Sequence, residues 1–376
     1  EIVATTEPLA EKVPVESDQV ACLLSTSGTT GKPKEVMLTH NNILFSERVF
    51  VEGLERTADD VMWMPAPLNH AVGFFHGLVA PMLLGGRSVL MQDFAVKDAI
   101  DLINAEGATW SMCSTPFIYD IVKYLDAHPD ESLPTYVLHS CGGAPVPGAL
   151  IDRAHNHDIL LCEIFGSTES CPHVFVPPSK CVEWNGDWSG IPFPGIEVRY
   201  IDEQGNDVAP GVQGEHISRG PHQFVGYLNE PERTDRALTD DGWWFSGDLG
   251  YMDEDGFVYL DSRIKRMIIR HDGFKVFPSM IENVISRHPA VQQCSVVGCT
   301  DKDHVQGRLP FVYVVLDPEG DKKKRQIVRE LRQLCKEELP EYVQPVSYKF
   351  ISEMPMTPVG KVDYRKLEEE ITPRDY

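Results

Sequence analysis

The sequence predicts an α/β fold, with doubly wound sheet and a β-rich subdomain in a large N-terminal domain, then a small α+β C-terminal domain. Three observations carry this expectation. Between Val61 and His157, short apolar runs alternate with segments of helical length, the pattern of a doubly wound sheet that binds ligands at its strands' carboxyl ends. From Gly190 the pattern changes to short strands broken by frequent Gly and Pro. After Phe274 the chain reads as a helix, a pair of strands and a charged helix, a small α+β unit. With 376 residues there is enough chain for a large core and more than one domain.

The first element is an apolar strand, Val20 to Leu24. It enters Ser25-Thr-Ser-Gly-Thr-Thr-Gly-Lys-Pro-Lys34, which leaves through a second strand at Val36-Met-Leu38. Glycines let backbone amides approach a ligand closely. The hydroxyls, Lys32 and Lys34 supply donors and positive charge, so the natural guest is a polyphosphate. A Walker loop needs four residues between its first Gly and Gly-Lys-Ser/Thr, then a helix. Here Thr29 and Thr30 alone separate Gly28 from Gly31, and Pro33 follows Lys32. By composition alone the stretch also reads as a plain solvated loop.

Asn41 to Glu52 reads as a helix with Asn41 as its N-cap. Val61-Met-Trp-Met64 reads as a buried strand that runs into Pro65-Ala-Pro-Leu-Asn-His70-Ala-Val-Gly73, then an apolar helix from Phe74 to Leu84. Strands follow at Arg87 to Met91 and Thr109 to Ser114, with helices at Lys97 to Ala105 and Pro116 to Leu125. Tyr136-Val-Leu-His-Ser140 leads into Cys141-Gly-Gly-Ala144, with a helix from Pro147 to His157. The next strand, Ile159 to Ile164, ends in Phe165-Gly-Ser-Thr-Glu169. There Phe165 offers a stacking face, Thr168 a hydroxyl and Glu169 a carboxylate oxygen. Outside this context His70 reads as a hydrogen-bonded structural histidine and Thr168-Glu169 as an ordinary helix start.

In the β-rich part come Gly214-Glu-His-Ile-Ser-Arg-Gly-Pro221, Gly226-Tyr227 and Gly242-Trp-Trp-Phe-Ser-Gly-Asp248. A carboxylate such as Asp248 offers two acceptors to adjacent hydroxyls, although Asp after Gly247 is also a common turn residue. Asp253-Glu-Asp-Gly256 predicts a hairpin turn, followed by Leu260-Asp-Ser-Arg263-Ile-Lys265-Arg266. The C-terminal part predicts helices at Pro278 to Arg287 and Lys322 to Glu338, and strands at Gln293 to Val297 and Pro310 to Leu316. Lys361, in Thr357-Pro-Val-Gly-Lys361-Val-Asp363, falls on an exposed Pro/Gly loop.

Composition narrows the function classes. A net charge of −23 argues against nucleic acid and anionic lipid as partners. No apolar run approaches the ~18 residues of a membrane helix, and no signal peptide is read at the N-terminus. The nine cysteines form no Cys-x-x-Cys pair, which argues against a zinc site and fits reduced thiols in the cytoplasm.

The phosphate-loop stretch, the Phe165–Glu169 stretch and Lys361, in this order, resemble the adenylate-forming superfamily of acyl-CoA synthetases, peptide-synthetase adenylation domains and luciferases. The resemblance runs from about Gln19 to Leu367. It implies a large domain over 1–262 and a small mobile domain over 263–376, with the hinge at Lys265. Members carry a long segment before the phosphate loop, so the resemblance also implies that the first part of the large domain is missing. It assigns Ser25, Thr26, Ser27, Gly28, Thr29, Thr30, Gly31 and Lys32 to the ATP phosphates. Gly142, Gly143, Ala144, Phe165, Gly166 and Ser167 go to adenine and its surroundings, Asp248 to the ribose and Arg263 to ribose or phosphate. Thr168 and Lys361 would meet the α-phosphate, Glu169 would hold Mg2+, and His70 would stand at the acyl group. The substrate pocket would comprise His70, Val72, Phe74, Phe117, Gly143 and His173; Gly273, Phe274 and Lys275 would serve the CoA step. Several positions depart from the family pattern: Glu35, Asn69, Phe165, Ser262, Arg266 and His271-Asp272.

The implied reaction is activation of a carboxylic acid by ATP and Mg2+ as acyl-AMP, with pyrophosphate release, then transfer to CoA. The local phrasing resembles short- or medium-chain fatty acyl-CoA synthetases and cyclohexanecarboxylate-type ligases, and a homodimer is the candidate assembly. Two other readings stand beside this one: an adenylate former that loads a carrier protein, and a nucleotide- or acyl-binding module without turnover.

Overall fold

The computed structural model describes residues 14–26, 34–143, 146–300, 307–317, 323–357 and 362–372. It is a mixed α/β architecture with a large N-terminal part and a smaller C-terminal one. The first two strands, β1 (Val20–Thr26) and β2 (Lys34–Thr39), pair antiparallel with Thr26 opposite Lys34. The predicted phosphate loop is therefore the link across a hairpin; Ser27 to Pro33 lie outside the described residues.

The central sheet has seven strands: β3 (Val61–Met64), β4 (Arg87–Leu90), β5 (Trp110–Ser114), β6 (Leu138–Gly142), β7 (Leu160–Ser167), β8 (Cys171–Phe175) and β9 (Ile191–Pro192). Their order is β4-β3-β5-β6-β7-β8-β9. Neighbours are parallel from β4 through to β7, then antiparallel to β8 and β9. Parallel strands covered on both faces carry continuous apolar runs, and every residue of Val61-Met-Trp-Met64 is buried. The crossover helices bury one stripe each. In Val96–Glu106, Ala99, Ile100 and Ile103 face the core, and Gly107 ends the helix in the left-handed conformation (φ 63°). Trp63, Trp110, Tyr136 and Phe50 are among the largest fully buried side chains of this core.

A second sheet is antiparallel, in the order β10 (Glu197–Ile201), β11 (Gly214–Arg219), β13 (Trp244–Met252), β14 (Val258–Arg263). The short strand β12 (Gly226–Tyr227) leaves it to pair with β2. The predicted turn at Asp253–Gly256 closes the β13–β14 hairpin, with Gly256 at φ 86°. The C-terminal part has a small hairpin, β15 (Ile268–Ile269) and β16 (Lys275–Val276), and a sheet of β17 (Val291–Thr300), β18 (Arg308–Leu316) and β19 (Ser347–Phe350). These pack on the helices Pro278–Ile285 and Lys324–Glu338 around a core of their own that includes Ile281, Val314 and Leu331.

Two local expectations are corrected. The first helix spans His40–Gly53, and its N-cap is Thr39. Thr39 Oγ1 accepts from Asn42 N at 3.1 Å and Asn42 Oδ1 accepts from Thr39 N at 2.9 Å, a reciprocal cap made two positions ahead of the expected Asn41. The apolar helix after His70 is a π-helix over Gly73–Val79, continued as an α-helix over Ala80–Leu84. The wider turn goes with close backbone packing. A Cβ on Gly73 would lie 2.2 Å from Pro67 O, and one on Gly77 2.5 Å from Met64 Cγ. It also carries His76, whose Nδ1 meets Glu47 Oε2 at 3.0 Å inside the core.

Glu163 on β7 is buried, with Val146 N donating to Oε2 at 3.4 Å and the Ser189 side chain also bonded to it. Burial pushes its carboxyl up from 4.5 to about 7. The folded state thus holds this proton more tightly than the unfolded chain. Its contribution is full below the unfolded value and is lost as pH rises through about 7. Glu163→Gln should therefore gain about 2 kcal/mol relative to the parent between pH 5 and pH 8.5, measured from urea midpoints at both. A pH-independent difference would mean that Glu163 does not titrate in this way.

Candidate active site

The parallel strands end on one edge of the central sheet, and predicted residues gather there because the chain turns at that edge. His70 follows β3, Phe117 opens the helix after β5, Gly142 and Gly143 terminate β6, and Phe165 to Ser167 terminate β7. Gly143 is exposed at φ 85°. Gly142 is buried, and a Cβ there would press on Met112 Cε at 2.6 Å. Gly166 has no room for any side chain, since its Cβ would lie 2.2 Å from Cys171 O across the irregular β7–β8 pairing.

The Thr168–Ser170 turn that follows is held by Ser167, whose Oγ accepts from Glu169 N at 3.1 Å and from Ser170 N at 3.2 Å. This leaves Thr168 half-buried and Glu169 nearly buried. Glu169 Oε1 accepts from Tyr227 Oη at 2.9 Å and lies 3.6 Å from Lys34 Nζ. Lys34 also donates to Tyr227 Oη at 3.2 Å, with its ammonium 4.6 Å from the ring centroid. Burial, then the Glu169 charge, raises the Tyr227 phenol well above its usual range, so it stays a donor. Three segments distant in sequence thus converge on one carboxylate. Glu169 suits a Mg2+ held by one protein carboxylate together with substrate phosphates. The Tyr227 and Lys34 contacts both fall on Oε1, and among the described residues no group of three or more His, Cys, Asp or Glu side chains is arranged to bind a metal alone.

Asp248 on β13 is buried, donates from its backbone N to Ser246 Oγ at 2.9 Å and stands opposite Arg263 on β14. Arg263 Nε lies 2.7 Å from Asp248 Oδ1, so the expected ribose acceptor and the expected ribose or phosphate donor form one ion pair. At the mouth of the hairpin, Ser25 Oγ donates to Glu35 Oε1 at 2.7 Å, which absorbs the departure at Glu35. Thr26 sits at the strand end opposite Lys34.

His70 is half-buried; its Nδ1 accepts from Val72 N at 3.3 Å. Val72 and Phe117 pack on the main core, Phe117 edge-on to Phe94 with centroids 4.8 Å apart. Phe74 joins a different cluster beside Phe75. His173 is fully buried against His216 and so lines no open surface, unlike the other expected pocket residues. The expected hinge Lys265 is exposed in a single 3₁₀ turn, Ile264–Arg266. Arg266 is turned into the C-terminal part, paired with Glu282 at 2.7 Å and 3.8 Å from the Tyr364 ring centroid, which accounts for that departure. Gly273 makes the β15–β16 turn at φ 82°, Phe274 stacks on Tyr342 at 4.6 Å, and Lys275 pairs with Glu203 at 2.9 Å. Ser27 to Lys32, Ala144 and Lys361 lie outside the described residues.

Sequence reasoning gave no site role to Tyr227 or His216. The available signal was a histidine at an inward position of a strand, since His216 falls between Gly214 and Ser218 in period 2, all three buried.

A family model described as AMP-binding enzyme matches residues 2–228, and one described as AMP-binding enzyme C-terminal domain matches residues 280–361. A medium-chain fatty-acid–CoA ligase of Escherichia coli is 36% identical over 377 residues, covering 100% of this chain and 65% of that protein. A feruloyl-CoA synthase of Amycolatopsis is 32% identical, covering 93% and 70%. Among solved structures, ATP-bound MatB from Rhodopseudomonas palustris superposes with a TM-score of 0.86 at 26% identity, covering 99% of this chain and 72% of that one. The chain thus spans just under two thirds of the length of the Escherichia coli relative.

The Lys34–Tyr227–Glu169 contact makes its own prediction. Tyr227→Phe removes one donor from a nearly buried carboxylate and should cost about 1–2 kcal/mol of stability. In a double-mutant cycle with Lys34→Met, read from denaturation midpoints, the coupling should exceed about 0.5 kcal/mol. Additive losses would show that the three groups do not act as a unit.

Proposed function

The chain belongs to the AMP-binding enzyme family, and from that premise we propose that it is an ATP-dependent carboxylic acid:CoA ligase. Its acid is a medium-chain fatty acid, with short-chain acids as the neighbouring class. The observation that carries the reading is the meeting of Lys34 and Tyr227 on Glu169 at the carboxyl edge of the central sheet, with Asp248 joined to the same edge through Ser246 and His216, whose ring meets Phe165. The likeness to the medium-chain ligase, and the apolar Val72, Phe74 and Phe117 near His70, support the choice of acid.

A carboxylate repels nucleophiles, so it must be activated before a thiol can attack it. In the proposed cycle the acid oxygen attacks the α-phosphorus of ATP, a mixed acyl-phosphate anhydride forms and pyrophosphate leaves. The protein's work is to align the acid and to meet the charge on the phosphoryl oxygens. Thr168 and Lys361 are assigned to the α-phosphate, the Ser25–Lys32 stretch to the β- and γ-phosphates, Asp248 to the ribose and Phe165 to the adenine. Glu169 is the residue that would hold Mg2+, which when bound neutralises phosphate charge. His70 flanks the acyl group. The thiol of CoA then displaces AMP from the anhydride, after a rotation about Lys265 that withdraws Lys361 and brings Gly273, Phe274 and Lys275 to the site. All nine cysteines are free thiols, in keeping with a cytoplasmic enzyme.

The test is pyrophosphate release from ATP and Mg2+ across a panel of carboxylic acids, with CoA or a phosphopantetheinylated carrier protein as acceptor. Release should depend on the acid, be fastest with medium-chain acids and yield a thioester with CoA. Lys361→Ala should lower that release about 10²–10³-fold and leave thioester formation from preformed acyl-AMP near the parental rate. Equal loss in both steps would overturn the role of Lys361, and acid-independent phosphate release would overturn the ligase reading.

A further inference from the structure

The central sheet and the antiparallel sheet meet through a buried polar seam directly behind Phe165. His173 projects from β8 of the first sheet and His216 from β11 of the second, and their Nε2 atoms are 2.9 Å apart. Neither ring is exposed at all (0% for both). The seam continues at each end. His173 Nδ1 lies 3.0 Å from Ser170 Oγ and 3.3 Å from Cys171 O. His216 Nδ1 lies 3.0 Å from the buried Tyr200 Oη. One arrangement gives each of these polar hydrogens a partner. Tyr200 donates to His216 Nδ1, His216 Nε2–H donates to His173 Nε2, and His173 Nδ1–H is shared between Ser170 Oγ and Cys171 O. Both imidazoles are then neutral, and burial lowers the basicity of both, that of His173 to about 4.

What this seam connects gives it a meaning beyond packing. Ser170 belongs to the turn that carries Glu169, bound to Ser167 by its own backbone N. The backbone O of His216 accepts from Ser246 Oγ at 2.7 Å, and that hydroxyl accepts from Asp248 N at 2.9 Å. Both imidazoles also meet the Phe165 ring, His173 with centroids 4.7 Å apart at 62° and His216 at 5.2 Å and 88°. The expected metal carboxylate, the expected adenine platform and the expected ribose carboxylate are thus tied together by two side chains from different sheets. An apolar residue at position 216 would leave His173 Nε2 buried without a donor.

We propose that His173 and His216 are positioning residues for the nucleotide, holding the Glu169 turn, Phe165 and Asp248 in one register across the two sheets. This rests on the ligase reading for the identity of the nucleotide. Because the seam supports the ATP side of the site, its loss should weaken ATP and leave the carboxylic acid alone, a split that a general loss of stability does not produce.

The experiment measures KM for ATP and for the acid, together with the Kd of Mg2+–ATP by equilibrium dialysis, on the parent, His216→Leu, His216→Gln and Tyr200→Phe. His216→Leu should raise KM and Kd for ATP at least about tenfold with the KM of the acid within about twofold. His216→Gln restores a donor towards His173 and should recover at least half of that loss on a logarithmic scale. Tyr200→Phe, which removes only the far end of the seam, should raise the ATP constants about threefold. Parental ATP constants in His216→Leu, or ATP and acid constants rising together, would overturn the proposal. If His216→Leu does not fold, parental ATP constants in Tyr200→Phe do the same. A parent that binds ATP but releases no pyrophosphate with any acid would defeat the ligase reading alone, the dialysis series still deciding this one. A parent that binds no ATP would defeat both.

Discussion

The molecule depends first on the common direction of β3, β5, β6 and β7. Parallel strands need a crossover between each pair, and each crossover begins where a strand ends. The loops after these strands are therefore forced onto one edge of the sheet, whatever their sequence. His70, Phe117, Gly142 and Phe165, spread over about a quarter of the chain, become neighbours of that edge for this reason alone. The direction first reverses at β8, and the reversal makes the tight Thr168–Ser170 turn, beside which Gly166 passes Cys171 O with no space for a Cβ.

Around that edge the strongly acidic chain manages its charges by pairing them locally. Lys34 is bound to Glu169 and Tyr227, and Arg263 to Asp248. Such pairs hold both partners in place at modest net energy, because each group has given up water to meet the other. For a nucleotide the consequence is preorganisation: acceptors and cations are already fixed before the ligand arrives. Behind them, in the interior, burial works against the charged forms of several groups. His173 and His216 sit as neutral rings in a hydrogen-bonded seam, and the buried Glu163 carboxyl is raised to about 7.

Much of this arrangement was legible in the linear chain. Alternating strands and helices, the shift to short strands after Gly190 and the separate C-terminal elements describe the observed sheets with ends displaced by a few residues. The exceptions have physical causes. Thr39 caps the first helix because its partner Asn42 lies at the reciprocal position three residues on. The π-helix after His70 follows from backbone contact at Gly73 and Gly77 and from a buried His76–Glu47 pair, none of which has a local periodicity to betray it.

The sequence by itself determined the fold class, the family and the segments that bear the chemistry, because hydrophobic period, turn residues and motif order are local properties of the chain. Which side chains meet was decided only by the tertiary structure. Tyr227 has no site role in the linear chain until β12 pairs with β2 and brings its hydroxyl to Glu169. His173 reads as a pocket residue until the second sheet closes over it with His216. Both contacts cross between sheets, over 58 and 43 residues of chain, and depend on how two twisted surfaces seat against each other, a relation with no local imprint in the order of the residues.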